Sequence, residues 1–166
     1  MDIFEFAMER EKLAEQLYRK LADKSDHAGL KGILLMLADE EIKHFETVRQ
    51  MKEHSTLSIT ESSVLKDAKD VFEKMKRGVD TFSFDTSEVD LYRKACDIEA
   101  SSKKYYLEKA EEVENPGHKE LFLKLAEEEN KHLVLVQSLC DFVAKPETFL
   151  ENAEFTHLAD YVEGQF

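Results

Sequence analysis

Leu37-Ala38-Asp39-Glu40-Glu41-Ile42-Lys43-His44 and, 88 residues later, Leu125-Ala126-Glu127-Glu128-Glu129-Asn130-Lys131-His132 are two versions of one segment. They belong to a longer repeat. Sliding residues 7–50 over residues 95–138 without a gap also pairs Ala7 with Ala95, Glu11 with Glu99, Tyr18 with Tyr106, Ala22 with Ala110, Gly29 with Gly117 and Lys31 with Lys119. With Leu35/Leu123 and Val48/Val136 there are 14 identities, where unrelated segments of that length give roughly two or three. The chain is two copies of one unit.

That unit is a helical hairpin. Phe6, Leu13, Leu17 and Leu21 recur at helical spacing within 3–24, and Leu30, Ile33, Leu34, Leu37 and Ala38 carry a second stripe on to about Glu53,. Between them, Ser25-Asp26 offers capping side chains and Gly29 a flexible joint,. In the second copy a helix fits Val89 to Glu114. Asn115-Pro116-Gly117 then supplies a cap, a proline suited to the first helical position and a flexible residue, opening a helix to about Ala144,. Residues 54–88 read as a long crossover containing one shorter helix, Ser63 to Lys76. Two hairpins joined by a crossover make a four-helix bundle. The expected fold is therefore all-α, with the bundle in residues 1–145. Residues 146–166 form a tail whose Phe149, Leu150, Ala153 and Leu158 predict a short helix, docked on the bundle or on a second subunit. The crossover and tail favour a homodimer.

Composition agrees with this reading. Only 5 Gly and 2 Pro occur in 166 residues, and 36% of the chain is charged, which favours long amphipathic helices over turn-rich β-structure,. The net charge of −13 repels phosphate backbones and anionic lipid, so nucleic acid and membrane are not expected partners,. Charge-free stretches such as 32–38 and 133–140 are far shorter than the roughly 18 residues that span a bilayer,. Met1-Asp2-Ile3-Phe4-Glu5 has neither a basic leader nor an apolar core, so the cytoplasm is the expected compartment,. Cys96 and Cys140 are too few and too far apart in sequence for a disulfide framework, and Cys96 reads as a small buried thiol,.

Each copy carries Glu-x6-Tyr on its first helix and Glu-x2-His on its second: Glu11/Tyr18 with Glu41/His44, and Glu99/Tyr106 with Glu129/His132. Residues three apart share one helix face, so each Glu-x2-His pair can reach a common point. In an antiparallel hairpin, residues equidistant from the turn sit side by side. Glu11 and Glu41 are centred on Asp26, and Glu99 and Glu129 on Glu114, which are the two turns placed from capping signals alone. Facing hairpins therefore collect Glu11, Glu41, His44, Glu99, Glu129 and His132 at one level of the core. Four carboxylates buried together raise one another's pKa and resist desolvation unless cations compensate them. Two divalent ions balance four carboxylates, and an oxygen-rich set with imidazole suits iron or manganese, although zinc can occupy such a site in vitro. Tyr18 and Tyr106, two turns beyond Glu11 and Glu99, are placed to hydrogen-bond those carboxylates.

Glutamate occupies 24 of 166 positions, so six histidines should yield roughly one Glu-x2-His pair by accident,. Three occur. The third, Glu154/His157, has Lys124 where a partner glutamate would stand and lies outside the repeat. His27, His54 and His118 read as solvated or capping residues.

Phe4-Glu5-Phe6-Ala7-Met8-Glu9-Arg10-Glu11 through Tyr18, with 37–44 and 121–132, resembles the half-site signatures of the ferritin-like di-iron carboxylate superfamily, in particular its rubrerythrin branch. The resemblance covers residues 3–144. It implies a ferritin-like bundle holding two iron ions, or manganese or a mixed pair, on the six residues named, with Glu41 and Glu129 bridging. It also implies an oxidoreductase of oxidative-stress defence that reduces hydrogen peroxide or dioxygen. Two departures matter. No four-cysteine rubredoxin module is present, so electrons would come from an external donor such as a rubredoxin-like protein. The extra carboxylate that rubrerythrins tend to carry one turn after the third-helix ligand is replaced by Ser102, whose repeat equivalent is Ala14, and two such small residues imply an open pocket. Alternative readings are a ferroxidase or iron-handling protein, a di-metal oxygenase of an organic substrate, and a metal-binding bundle without turnover.

Overall fold

A computed structural model describes residues 2–53 and 59–161. The chain forms α1 (Ile3–Lys24), α2 (Ala28–Lys52), α3 (Val64–Arg77), α4 (Thr86–Glu112), α5 (Pro116–Ala144) and α6 (Pro146–Glu151), followed by a 3₁₀ helix at Glu154–Asp160. No strand occurs among the described residues, and none of the helices is long and apolar enough to cross a membrane. The fold is an all-α ferritin-like bundle. His54 and the residues up to 58 lie outside the described residues.

α1 pairs with α2 and α4 with α5, and the two hairpins join mainly along α1 and α4. α2 and α5 approach less closely and meet through side chains. Helix starts follow their caps. Asn115 Oδ1 accepts from the Gly117 and His118 amides, with Pro116 in the first turn, as its sequence implies,. α4 begins three residues before the expected Val89, because Asp85 caps it by accepting from the Glu88 amide at 2.8 Å. At α2 the expected Ser25-Asp26 cap is replaced by His27, whose Nδ1 accepts from the Gly29 and Leu30 amides. Gly29 is no flexible joint but the second residue of that helix. A Cβ there would lie 3.0 Å from Val71 Cγ1 and 3.1 Å from Met75 Cε, so its bareness lets α3 seat against α2,.

The buried face of α1 departs from the apolar stripe read in its sequence. Phe6 and Leu13 are 41% and 48% exposed, whereas Ala7, Glu11, Ala14, Tyr18 and Ala22 face inward with Leu17 and Leu21. Two polar residues occupy the core line, so a search for large apolar residues rotates the helix the wrong way. The buried apolar side chains form two blocks. One gathers the α1–α2 turn, the crossover and the tail; the other gathers Ala7, Val48, Met51, Tyr106 and Phe122. A layer of buried polar residues lies between them.

The tail is not one helix. It breaks after α6, where Ala153 adopts a left-handed backbone (φ 50°), and resumes as the 3₁₀ helix. The break lets Phe149 and Phe155 both reach Phe72 of α3, with ring centroids 5.1 and 5.9 Å away; Phe142 of α5 lies 5.5 Å from the same ring. This aromatic group fastens crossover and tail to the chain's own bundle. Phe72→Ala is expected to lower unfolding free energy by about 3–5 kcal/mol, measured by urea denaturation. A loss under about 1 kcal/mol would show that the cluster is peripheral to stability.

Candidate metal centre

The polar layer is made by the helix faces that the repeat predicts. Glu11 on α1, Glu41 and His44 on α2, Glu99 on α4, and Glu129 and His132 on α5 are all buried. His44 Nδ1 lies 3.0 Å from Glu129 Oε1, and His132 Nδ1 lies 2.9 Å from Glu41 Oε1, so each imidazole spans to the opposite hairpin. Each also lies 3.6 Å from the first-helix glutamate of its own copy, Glu11 or Glu99, and 3.8 Å from the glutamate three residues before it. The imidazole rings stack 5.2 Å apart. One two-fold relation thus maps every contact onto its partner, which is the repeat expressed in three dimensions. Within the layer, one ligand atom each from Glu41, His44, Glu129 and His132 falls within 4.8 Å of the others.

The tyrosines cross over. Tyr106 donates its hydroxyl to Glu11 Oε1 at 2.5 Å, and Tyr18 donates to Glu99 Oε1. Both were expected to serve a carboxylate, but each serves the opposite copy, because α1 and α4 run antiparallel. Burial and the facing carboxylates push both phenols well above their ordinary pKa, so they remain proton donors,.

The electrostatics divide the carboxylates into two kinds. Burial pushes all of them up. For Glu11, hydrogen bonding from Glu41 and the charge of His44 prevail and hold it at about 2; Glu99 is likewise held below the usual range through Glu129 and His132. Glu41 and Glu129 are raised well above it by burial and by the neighbouring carboxylates. Burial lowers the pKa of His132, but the charge of Glu99 outweighs it and leaves the imidazole raised. The layer without cations is therefore compensated by retained protons.

The donor set fits a metal group by a direct test. Glu11, Glu41, Glu99 and Glu129 each keep one buried Oε2 with no hydrogen-bond partner. Orphaned buried carboxylate oxygens are costly, and divalent cations would satisfy them. The hard oxygen and imidazole chemistry suits iron, and the cluster fits a di-iron site.

The surroundings show where the two copies differ. His132 Nε2 faces Glu40 at 3.6 Å, and Glu40 also accepts from Ser62 of the crossover. Burial raises Glu40, but His132 and Ser62 hold it at about 2. Its repeat equivalent, Glu128, is committed instead to Lys131 Nζ at 3.0 Å. A cavity of about 320 Å³, lined by Asp39, Glu40, Glu61 and Asp67 among others, opens beside Glu40. The open pocket expected at Ser102 and Ala14 is corrected: both are buried, and Arg10 reaches across from α1 to donate to Ser102 Oγ at 3.2 and 3.3 Å and to the Ile98 carbonyl. Sequence reading missed this arginine, whose only signal was its place one residue before Glu11. Glu154/His157 stays outside the layer; His157 Nε2 pairs with Ser138 Oγ at 2.8 Å.

No curated protein and no solved structure matches the chain. The sequence model of the family described as Rubrerythrin matches residues 2–140, and again residues 90–158. The first match takes in every residue of the polar layer, on α1, α2, α4 and α5, and the second begins within α4, the first helix of the second hairpin. With both half-sites inside that match, the chain belongs to the rubrerythrin family.

Proposed function

We propose that this protein is a di-iron oxidoreductase that reduces hydrogen peroxide, or dioxygen, at the buried layer and is re-reduced by an external electron donor such as a rubredoxin-like protein. The observation that carries the reading is the set of four unpartnered carboxylate oxygens, arranged with two imidazoles about a two-fold axis. Glu11, Glu41, His44, Glu99, Glu129 and His132 would hold the ions. Two ferrous ions, when bound, supply Lewis acidity and the two electrons that peroxide needs to become two waters.

The chain's own residues prepare that chemistry. Tyr18 and Tyr106 orient Glu99 and Glu11 and keep their protons on the phenolic oxygens,. Glu40 faces the outer nitrogen of His132 at 3.6 Å, and Nδ1 is directed at the carboxylates. The apolar blocks on either side exclude bulk water, which favours a small oxidant over a large organic substrate,.

A ferroxidase is the second reading, favoured by the acid-lined cavity at Glu40, whose carboxylates would attract iron as a substrate,. Retention of iron in the protein after repeated ferrous additions separates the two, since a peroxidase returns to its starting iron content.

Elemental analysis of anaerobically purified protein is expected to give about two iron atoms per chain, and Glu129→Gln to lower metal affinity at least about tenfold. Metal retained in full by Glu129→Gln, or no metal in the parent after iron is offered, sinks the di-iron assignment. Binding is also expected to expel protons. Burial and the neighbouring carboxylates raise Glu41 and Glu129, and the charge of Glu99 raises His132 against its burial, so protons that these groups retain must leave before they become ligands. Proton release on metal binding should appear in a weakly buffered dye assay, and metal affinity should fall as pH decreases. For the reaction itself, stopped-flow mixing of di-ferrous protein with peroxide should show oxidation faster than that of free ferrous iron; an equal rate removes the peroxidase.

A further inference from the structure

We propose that Cys96 and Cys140 form a thiol–disulfide couple that takes hydrogen peroxide as its oxidant and a dithiol as its reductant. The proposal is independent of the di-iron reading, because the pair shares no residue with the polar layer.

In sequence the cysteines are 44 residues apart. The α4–α5 hairpin folds that separation away and brings Sγ to within 3.2 Å of Sγ as free thiols. A disulfide bond needs a separation of about 2.05 Å, so closing it requires an approach of only about 1.2 Å, within reach of small side-chain rotations. Both residues are partly exposed, so a small peroxide and a reducing dithiol can reach them.

The surroundings also assign them different parts. The two thiols share a hydrogen bond in which either sulfur can donate, and the Arg93 charge one turn before Cys96 favours a thiolate at Cys140. Together they prevail over burial, Asp141 and Asp97 to bring the Cys140 thiol below its ordinary pKa,. The same hydrogen bond, with burial, pushes Cys96 up, so it keeps its proton. The Arg93 charge favours Cys140 as the attacking sulfur and Cys96 as the resolving one, and the paired serine variants below decide that order.

The chemistry balances with peroxide alone. The Cys140 thiolate attacks one peroxide oxygen, the O–O bond breaks, and hydroxide leaves and takes up a proton as water, giving a sulfenic acid on Cys140. Cys96 sulfur then attacks that sulfur, the S–O bond breaks, and a second water departs as the disulfide forms. Two thiols and one peroxide become one disulfide and two waters. A dithiol restores both thiols by exchange and is itself oxidised to its disulfide.

The test uses the full chain, reduced with dithiothreitol and desalted anaerobically, so that a metal centre without a donor consumes only about one equivalent of oxidant. Peroxide is added up to about ten equivalents, followed by thiol counting in denaturant and intact-mass and peptide-mapping measurements. The expected result is loss of both thiols, a mass decrease of about 2 Da, and a Cys96–Cys140 linked peptide that disappears with dithiothreitol. Cys96→Ser should still form a sulfenic acid at Cys140, trapped by dimedone, whereas Cys140→Ser should slow thiol oxidation at least about tenfold. Survival of both thiols at ten equivalents, or disulfides only between chains, overturns the proposal. No metal in the parent after iron is offered, with an intact thiol response, would remove the di-iron reading and leave this one standing.

Discussion

Six ionisable side chains buried at one level of a helical bundle set the terms for the rest of this molecule. Four of them are carboxylates, and no apolar packing compensates a buried anion. The protein meets the cost locally: imidazoles bridge the hairpins, tyrosines cap two carboxylates, and raised pKa values favour the protonated forms of Glu41 and Glu129. Even so, one oxygen of each carboxylate remains without a partner. Apolar side chains pack against both sides of the layer, and cations are the natural complement to its carboxylates.

The two-fold relation between the copies explains why the layer can be built from so few residue types. Every contact made by one half returns in the other, at 3.0 and 2.9 Å across the hairpins and at 3.6 and 3.8 Å within each copy. The symmetry ends at the next shell. Glu40 serves His132 and binds Ser62 of the crossover, whereas Glu128 is held by Lys131, which also reaches Glu61 and the Tyr161 ring. The segments that lie outside the repeat, crossover and tail, therefore give the two imidazoles different outer environments. One side opens to an acid-lined cavity; on the other, a buried lysine neutralises the glutamate.

Those segments are held by packing rather than by charge. Phe72 joins Phe142, Phe149 and Phe155 in one aromatic group, and the left-handed backbone at Ala153 turns the chain so that two tail residues reach it. Burial of large rings makes this attachment substantial. At the same end of the bundle the α4–α5 hairpin carries its two thiols side by side, one turn from Glu99. Arg10 ties α1 to α4 through Ser102 Oγ and the Ile98 carbonyl.

Periodicity and repetition made the four long helices, the two hairpins and the six residues of the layer readable before any coordinates. Those features are local or duplicated, and the repeat supplied a second copy against which chance could be judged. The tail's division, the His27 cap and the inward face of α1 were not readable, because each depends on what the helix meets. Phe6 and Leu13 have the right spacing for a core but point outward, since Glu11 and Tyr18 need the inward line. Spacing likewise placed Tyr18 and Tyr106 near carboxylates but not on the opposite copy's, and it left Cys96 and Cys140 44 residues apart. The sequence by itself determined which side chains share a helix face, because a 3.6-residue period follows from backbone geometry alone. Only the tertiary structure decided which faces meet, because the antiparallel docking of α1 on α4 and of α2 on α5 is settled by packing between residues far apart in the chain.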